Sequence, residues 1–282
     1  MMNDLGLSEE QAQYCTSSIV DHVVTITMNK PAKLNGWTLP MIEAFREAFC
    51  KATENDAVKA IIFTGNGVYF SAGVNLSSTI KLMPPKQLKA TIAEMNQALF
   101  DMFLNIPKPI LIAINGPAIG ASVTSATLCN GVIASANATF LLPFARLGVP
   151  PEGCSTVHLP RLIGPENAER MMGPEGWAPN AQDALEIGLI QSISEPDALL
   201  TDAQAIAKEW VANDTHRNFM AGSEKAELLA ANKAESLALA NAFLSHPFLH
   251  GQAKFLWSKK KYGPALTFYA LVITRPIWQL FL

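Results

Sequence analysis

Residues 108–130 read KPILIAINGPAIGASVTSATLCN, and this stretch decides how the rest of the chain can fold. Ile110 to Ile114 is a short apolar run with β-branched residues, bounded by Pro109 and by the turn sequence NGP at 115–117. Such a run predicts a strand that is covered on both faces. Gly120 to Cys129 carries no polar side chain longer than Ser or Thr, which predicts a helix in the protein interior.

The start of this predicted helix is the first candidate site. The first N–H groups of a helix have no acceptor within the helix, and the helix dipole is positive at this end. The helix that begins near Gly120 therefore offers a place for negative charge without any basic side chain.

The order of features in this stretch also occurs earlier in the chain. AIIFTG at 60–65 resembles LIAING at 111–116, since each has an apolar strand, a polar residue and a glycine. Each leads into a second turn of small residues, around Gly73 and around Gly120. The similarity predicts repeated strand–strand–helix units. No GxGxxG follows a strand and no GxxxxGKS/T occurs, so we expect no nucleotide phosphate site.

The remaining pattern predicts a mixed core followed by a helical tail. Further strands are predicted at 20–28, 58–63, 139–142 and 189–193, and helices at 41–55, 181–186, 197–213 and 223–244. We place a boundary near Pro196, which divides the chain into a core of residues 1–195 and a helical region of residues 196–282.

Composition excludes several classes of protein. The 282 residues are 49% hydrophobic and 16% charged, with a net charge of −3, so neither nucleic acid nor an anionic membrane is an expected partner. The four cysteines have no paired spacing and predict free thiols, while the five histidines show no metal-binding spacing. The only basic run, 259–261, is expected to be a solvated helix end.

The C-terminal residues are unusually apolar. Residues 265–273 and 276–282 form two apolar pieces, which Arg275 and Pro276 split. Neither piece approaches the roughly 20 residues of a membrane span, so no integral membrane segment is expected. We expect packing against a partner subunit, with a role at a membrane surface as the alternative.

Three motifs together resemble the enoyl-CoA hydratase/isomerase (crotonase) superfamily. They are FSAGVNL at 70–76, INGPAIGAS at 114–122 and the AxxAxxxGLI pattern from Ala181 to Ile190, and the resemblance covers residues 20–195. Within that superfamily, LLPFARLGVPPEGCST at 141–156 resembles the fungal and peroxisomal Δ3,Δ2-enoyl-CoA isomerases.

The resemblance implies an α/β fold, a crotonase-like spiral of ββα units with a C-terminal helical region that builds trimers or hexamers. It implies an acyl-CoA thioester as substrate, bound by the core, and no metal or redox cofactor. In this family two backbone N–H groups hold the thioester oxygen, and the matching positions here are Val74 and Ala121. Ser71, Ala72, Gly73 and Gly120 are expected to line the acyl-CoA channel.

The carboxylates distinguish the possible reactions. Hydratases of this superfamily use two carboxylates, and the matching positions here are Thr124 and Phe144, which would only line the substrate site. Isomerisation needs one base, and Glu152 matches the isomerase position. Its neighbours Val149 and Cys154 solvate charge poorly, which should raise the pKa of Glu152. The alternative is a surface-loop glutamate without function.

Two further assignments are open. Asn75 stands where many relatives carry Asp, and it is either a helix cap or a residue that orients a water in the substrate site. Lys81, Lys86 and Lys89 are candidates for contacts with the CoA phosphates, but a solvated surface explains them equally well.

The sequence therefore favours a Δ3,Δ2-enoyl-CoA isomerase of fatty acid β-oxidation. One alternative is an acyl-CoA isomerase or hydratase of a secondary-metabolite pathway, and another is a non-catalytic binding protein of the same fold. The resemblance implies a peroxisomal location, but the sequence ends in QLFL rather than an SKL-like tripeptide, so a cytoplasmic location is the alternative.

Overall fold

The computed structural model describes residues 3–74 and 83–282. Its strands are β1 (Cys15–Val20), β2 (Val23–Met28), β3 (Ala60–Gly65), β4 (Ile110–Ile114), β5 (Ala118–Ile119), β6 (Gly131–Ser135), β7 (Phe140–Leu141) and β8 (Ser192–Ser194). Within the described residues, a six-stranded sheet has the order β1-β2-β3-β4-β6-β8, and β5 pairs with β7 in a second sheet.

The helices surround these sheets and fill the C-terminal third. They are α1 (Glu9–Ala12), α2 (Leu39–Glu54), α3 (Pro85–Asn105), α4 (Ala121–Thr127), α5 (Phe144–Leu147), α6 (His158–Ile163), α7 (Pro165–Met172), α8 (Ala181–Glu186), α9 (Leu199–Ala212), α10 (Lys225–Phe243), α11 (His246–Ser258) and α12 (Tyr262–Trp278). Short 3-10 helices lie at Pro31–Lys33, Met220–Gly222 and Gln279–Phe281.

The centre of the large sheet is parallel and fully buried. β3, β4 and β6 are buried along their whole length, as expected for strands covered on both faces. The register places Ile62 beside Leu111 and Ile112 beside Val132. The predicted strand at 110–114 is therefore confirmed, and it lies in the middle of the sheet.

The first predicted strand, at 20–28, is wrong at its beginning. The chain turns at Asp21 and His22, both with positive φ, and β1 and β2 pair as an antiparallel hairpin with Val20 opposite Val23. Turns of this kind match the twist of the strands that they join. β1 was not predicted because its sequence, CTSSIV, carries polar residues at three of its six positions.

The repeated units follow the predicted pattern. After β3 the chain makes a bridge between Ser71 and Ala118, and after β4 it forms β5, which pairs with β7. Short strands from successive units thus run side by side next to the large sheet. The predicted strand at 189–193 is shifted, because Leu189 and Ile190 are still bonded to the end of α8 and β8 begins at Ser192.

Different helices cover the two faces of the large sheet. One face belongs to the main core, where Trp37 and Phe45 from the α2 region pack with Phe63 and Phe103. On the other face, Ala203 and Ala207 of α9 are fully buried against β-strand residues. The domain boundary near Pro196 stays a prediction, and α9 from beyond it packs on the sheet.

α3 and the C-terminal helices form a layer beside the core. α3 was not predicted, although Pro84 and Pro85 mark its beginning and its apolar residues follow a helical period. α10 packs along α3, and α11 packs on α12. α12 runs through Pro276 to Trp278, so it contains the first apolar piece and the beginning of the second. In the described part of the chain, we find no helix long and apolar enough to cross a bilayer.

Candidate active site

A cavity of about 390 Å³ lies at the start of α4. Most of its wall is apolar, with side chains such as Leu99 of α3 and Leu239 of α10. A volume of this size is within the range of small-molecule sites. The predicted site residues that line it are Ala72, Gly73, Val74, Gly120, Ala121, Phe144 and Glu152.

Two turns from successive repeats meet at this cavity. The Ile119 N–H donates to the Ser71 carbonyl at 3.1 Å, and the Gly73 backbone lies against the Ile119 carbonyl. Gly73 has a φ of +79°, and a Cβ on it would lie only 2.5 Å from the Ile119 oxygen. Only glycine fits this position, because a side chain would force the two turns apart.

The backbone on either side of these turns is tied down by hydrogen bonds. The Gly73 carbonyl accepts from the Trp37 N–H at 2.8 Å, and the Gly120 N–H donates to the Leu141 carbonyl at 2.8 Å. Ala121 is the first residue of α4, where an N–H has no acceptor within the helix. Within residues 3–74 and 83–282, no acceptor is bonded to the N–H of Val74 or of Ala121. Two donors are thus available in the cavity.

Glu152 reaches the cavity from a tightly packed loop. Pro150 and Pro151 precede it, and Gly153 follows with a φ of +72°. A Cβ on Gly153 would lie 2.5 Å from Thr124 Oγ1 and 2.6 Å from Phe100 Cε1. The loop therefore packs directly on α4 and α3, and this contact fixes the point from which the Glu152 side chain extends.

A side chain from α3 holds the Glu152 carboxylate. Asn96 Nδ2 donates to Glu152 Oε2 in a short hydrogen bond. The Asn96 amide is itself oriented, because its Oδ1 accepts from Ser236 Oγ of α10 at 2.8 Å. We did not predict Asn96 as a site residue. A helical period around it was the only signal in the sequence, and that signal does not indicate which residue meets Glu152.

A second buried carboxylate, Glu235 of α10, holds the backbone of the same loop. It accepts from the Cys154 N–H at 2.7 Å and from the Thr156 N–H at 2.8 Å, and the Thr156 hydroxyl bonds to it as well. Burial raises the pKa of Glu235 while these donors oppose that effect. The sequence analysis missed this residue too, because 81 positions separate it from Cys154.

The surroundings of Glu152 change its acidity. The pKa of its carboxyl is raised to about 7, chiefly by burial, with the hydrogen bond from Asn96 opposing the rise and the nearby Glu235 adding to it. This is the direction expected from its apolar neighbours. Glu152 is only partly covered as a residue because it lines the cavity. A carboxyl with a pKa near neutrality is suited to general acid–base chemistry.

Other predicted site residues have different positions. Ser71 and Thr124 are fully buried and do not line the cavity. The Ser71 hydroxyl donates to the Asn35 carbonyl at 2.8 Å and accepts from the Gly73 N–H at 3.0 Å, so it supports the turn. Thr124 packs on Gly153. Their contact with substrate stays a prediction that this geometry does not support.

The remaining candidates are Asn75 and the three lysines at 81, 86 and 89. Asn75 and Lys81 lie outside the described residues. Lys86 is exposed on the first turn of α3, and neither it nor Lys89 lines the cavity. Arg146 of α5 does line it and was not predicted. Arg146 is therefore a further candidate for contact with an anionic part of a ligand.

Metal-binding groups are not assembled around this cavity. Across the residues that the structure describes, no three His, Cys, Asp or Glu side chains are grouped to hold a metal ion. All four cysteines are free thiols, as the spacing predicted. His158 is fully buried and bonded to Ser223 Oγ and to the Thr127 carbonyl, each at 2.8 Å.

The match to a known family covers most of the chain. A family model described as enoyl-CoA hydratase/isomerase matches residues 18–262. The chain belongs to the enoyl-CoA hydratase/isomerase family. The match includes both turns and the Glu152 loop, and it ends where α12 begins. The expected superfamily is confirmed.

Relatives of this family member include isomerases. Enoyl-CoA delta isomerase 3, peroxisomal, of Mus musculus is 29% identical over 247 residues, which are 86% of this chain and 77% of that protein. Enoyl-CoA delta isomerase 2 of Homo sapiens is 30% identical over 249 residues, which are 86% of this chain and 62% of that protein.

Solved structures confirm the expected fold of the family member. The crystal structure of an enoyl-CoA hydratase/isomerase from Pseudoalteromonas atlantica T6c has a TM-score of 0.73 and 26% identity to this chain. The match covers 87% of this chain and 97% of that structure's chain. The α/β class and the crotonase-like arrangement are therefore correct.

Proposed function

We propose that this enzyme of the enoyl-CoA hydratase/isomerase family is a Δ3,Δ2-enoyl-CoA isomerase. The observation that carries the proposal is one carboxylate, Glu152, in the same cavity as the unbonded N–H groups of Val74 and Ala121. The two positions that would carry hydratase carboxylates hold Thr124 and Phe144, which cannot transfer a proton. Single-base isomerisation is the chemistry that these groups support.

The reaction moves one proton and one double bond. Glu152 removes a proton from C2 of a 3-enoyl thioester, and the electron pair forms a dienolate whose negative charge is largely on the thioester oxygen. The N–H groups of Val74 and Ala121 donate to that oxygen, and one such donor is worth roughly 3–4 kcal/mol in related sites. Protonated Glu152 returns the proton at C4, which leaves a trans-2-enoyl thioester.

The surroundings of the base fit this cycle. Glu152 must accept a proton in one step and release it in the next, so a pKa of about 7 serves both steps near neutral pH. Asn96 keeps the carboxylate in one place through both steps. Because the atoms and electrons balance within the substrate, the proposed reaction needs no metal or redox cofactor.

The biological setting is part of the proposal. A mouse relative is named as a peroxisomal enoyl-CoA delta isomerase, which supports a role in peroxisomal β-oxidation of unsaturated fatty acids. Colocalisation of an N-terminal fluorescent fusion with a peroxisomal marker would test the location, and a diffuse cytoplasmic signal would contradict it. We further propose a homotrimer or hexamer as the working form.

The decisive experiment uses 3-hexenoyl-CoA and purified enzyme. We expect conversion to trans-2-hexenoyl-CoA by the wild type, and a loss of at least about a hundredfold in kcat for Glu152→Gln, since the amide cannot accept the proton. Glu94→Gln is the matched control, because Glu94 lies exposed on α3 and should retain full activity. Equal activity of Glu152→Gln and wild type would overturn the proposal.

A further inference from the structure

A second cavity, of about 520 Å³, lies among α3, α10, α11 and α12. We call it the distal chamber. Its wall is apolar for most of its extent, and Phe248, Leu256, Phe268 and Leu271 are typical members. The indole N–H of Trp278, which also lines it, already donates to the Leu271 carbonyl at 3.0 Å. The chamber therefore presents mainly carbon to whatever it contains.

The distal chamber meets the catalytic cavity. Met83, Leu88, Ile92 and Phe243 line both of them. Leu88 and Ile92 are one turn apart on α3, and Phe243 is the last residue of α10, so the two cavities share a single apolar boundary. Along α3, in the direction away from Glu152, the distal chamber is therefore the cavity that adjoins the catalytic one.

The outer wall of the chamber lies beyond the region that the family model matches. The family match ends at residue 262, whereas Pro264, Phe268 and Leu271 come from α12 beyond that point. α12 is held in place by side-chain contacts to the preceding helices. Arg275 Nε donates to the Leu244 carbonyl at 3.0 Å, and Trp278 packs with the cluster that includes Phe243 and Phe248.

The chemistry of the chamber selects its occupant. Water is poorly held in a space with few polar partners, and a flexible unbranched hydrocarbon fills an irregular apolar space well. From the shared boundary and the apolar wall, we infer that the distal chamber binds the far end of a long fatty acyl chain whose thioester lies at Glu152. This inference rests on the proposed function and makes long-chain 3-enoyl thioesters the preferred substrates.

Binding of saturated thioesters tests the inference without catalysis. We expect palmitoyl-CoA, below its micelle-forming concentration, to bind the wild type at least about a hundredfold more tightly than hexanoyl-CoA in calorimetric titrations. Each buried methylene group is worth about fourfold in affinity, less the cost of ordering the chain. Equal affinities for the two thioesters would overturn the inference even if the enzyme isomerises 3-hexenoyl-CoA.

Variants on α12 locate the bound chain. Leu271→Trp fills the chamber and should reduce the preference for palmitoyl-CoA to about tenfold or less, with hexanoyl-CoA affinity unchanged. Leu271→Met keeps the side-chain volume and should retain the preference within about threefold. Thr267→Trp, on the same wall, provides a second filling variant if the first melts early. A preference that survives both tryptophans would place the chain elsewhere and refute the inference.

The outcomes separate this inference from the proposed function. If the wild type does not isomerise 3-hexenoyl-CoA but Leu271→Trp loses affinity for palmitoyl-CoA, the isomerase proposal is refuted. The binding of the acyl chain in the distal chamber is then still supported. An active isomerase with no chain-length preference would support the proposed function and refute binding of the acyl chain in the distal chamber. If both hold, the ratio of kcat/KM for 3-hexadecenoyl-CoA to that for 3-hexenoyl-CoA should fall in Leu271→Trp by the same factor as the affinity ratio.

Discussion

At the scale of single residues, Glu152 is subject to opposing influences. Burial and the charge of Glu235 raise its pKa, and the hydrogen bond from Asn96 lowers it. Without Asn96, the carboxylate would lose the donor that favours its charged form. The position of Asn96 on α3 therefore affects both the placement of the base and the pH at which the base works.

The pH profile should report this balance. Only ionised Glu152 can accept the C2 proton, so kcat/KM should fall as the pH drops below about 7, the pKa of the group. Asn96→Leu removes a contact that lowers this pKa, so the acid limb of the profile should move to higher pH. Asn105→Leu, at the exposed end of the same helix, should leave the limb in place. An unshifted limb in Asn96→Leu would contradict the role of the hydrogen bond.

Gly73 is the other residue on which the site depends. In Gly73→Ala the new Cβ would press on the Ile119 carbonyl and displace the Val74 N–H, and a shift of about 1 Å typically costs about a hundredfold in rate. Gly164→Ala is a matched control, because Gly164 has almost the same φ, +80°, but no atom within 4 Å of the added Cβ. Backbone strain should cost each variant about 1–3 kcal/mol of stability, and Gly73→Ala should lose more because of its contact with Ile119. Steady-state kinetics with 3-hexenoyl-CoA should show the rate loss in Gly73→Ala alone, and similar rates for the two variants would refute the explanation.

At the scale of elements, α10 connects the helical region to the catalytic loop. Glu235 and Ser236 are consecutive residues on this helix, and they bond to the loop backbone and to Asn96, respectively. Both components that hold Glu152, the loop and the α3 side chain, are thus fixed by the same turn of α10. The placement of the base depends on how α10 packs against α3.

Loss of the Glu235 carboxylate should destabilise the protein. Glu235→Leu leaves the buried N–H of Cys154 and the partly buried N–H of Thr156 without an acceptor, which should lower the free energy of unfolding by about 2–4 kcal/mol. Denaturant titration would measure this. Glu227→Leu, on the same helix but in an exposed ion pair with Arg161, should leave the stability nearly unchanged. Equal losses in the two variants would show that the hydrogen bonds to the loop contribute little.

At the scale of the whole molecule, an apolar stripe on α12 is left uncovered by the residues that the structure describes. Leu266, Ile273 and Ile277 are 58%, 77% and 67% exposed and lie on one side of the helix, away from the distal chamber. Exposed apolar patches of this kind are typical of surfaces that meet another subunit. This location is consistent with the proposed trimer or hexamer.

The assembly should respond to charge on this stripe. We expect light scattering with size exclusion to give a trimer or hexamer for the wild type and smaller species for the double variant Ile273→Glu and Ile277→Glu, because buried carboxylates would destabilise the contact. Thr274→Glu adds an exposed charge to the same helix and should keep the assembly intact. An unchanged mass in the double variant would exclude this stripe as the interface.

The sequence predicted the features that depend on neighbouring residues. The buried strand at 110–114, the helix after Gly120 and the helix at 181–186 follow from local composition, and the structure has all three. The polar hairpin strand at 15–20 was missed because a mixed pattern does not distinguish a strand from a loop.

The candidate site was only partly predictable because residues that meet in it are far apart in the sequence. Glu152 and the two turns were found through motifs, but Asn96 lies 56 positions from Glu152, and no local pattern pairs them. A proline usually ends a helix, but α12 continues through Pro276, and tertiary contacts of Arg275 and Trp278 hold it in place.

The contact between Gly73 and Ile119 has a consequence for protein engineering. In the proposed reaction the oxygen-binding groups are peptide amides whose spacing is set by this contact, so exchanging the side chains at Val74 or Ala121 does not delete them. The acid that moves hydrogen is encoded on a separate piece of chain. Mutant libraries that vary Phe144, Glu152 and Arg146 and retain the glycines could therefore search for new thioester reactions on an unchanged enolate-binding framework.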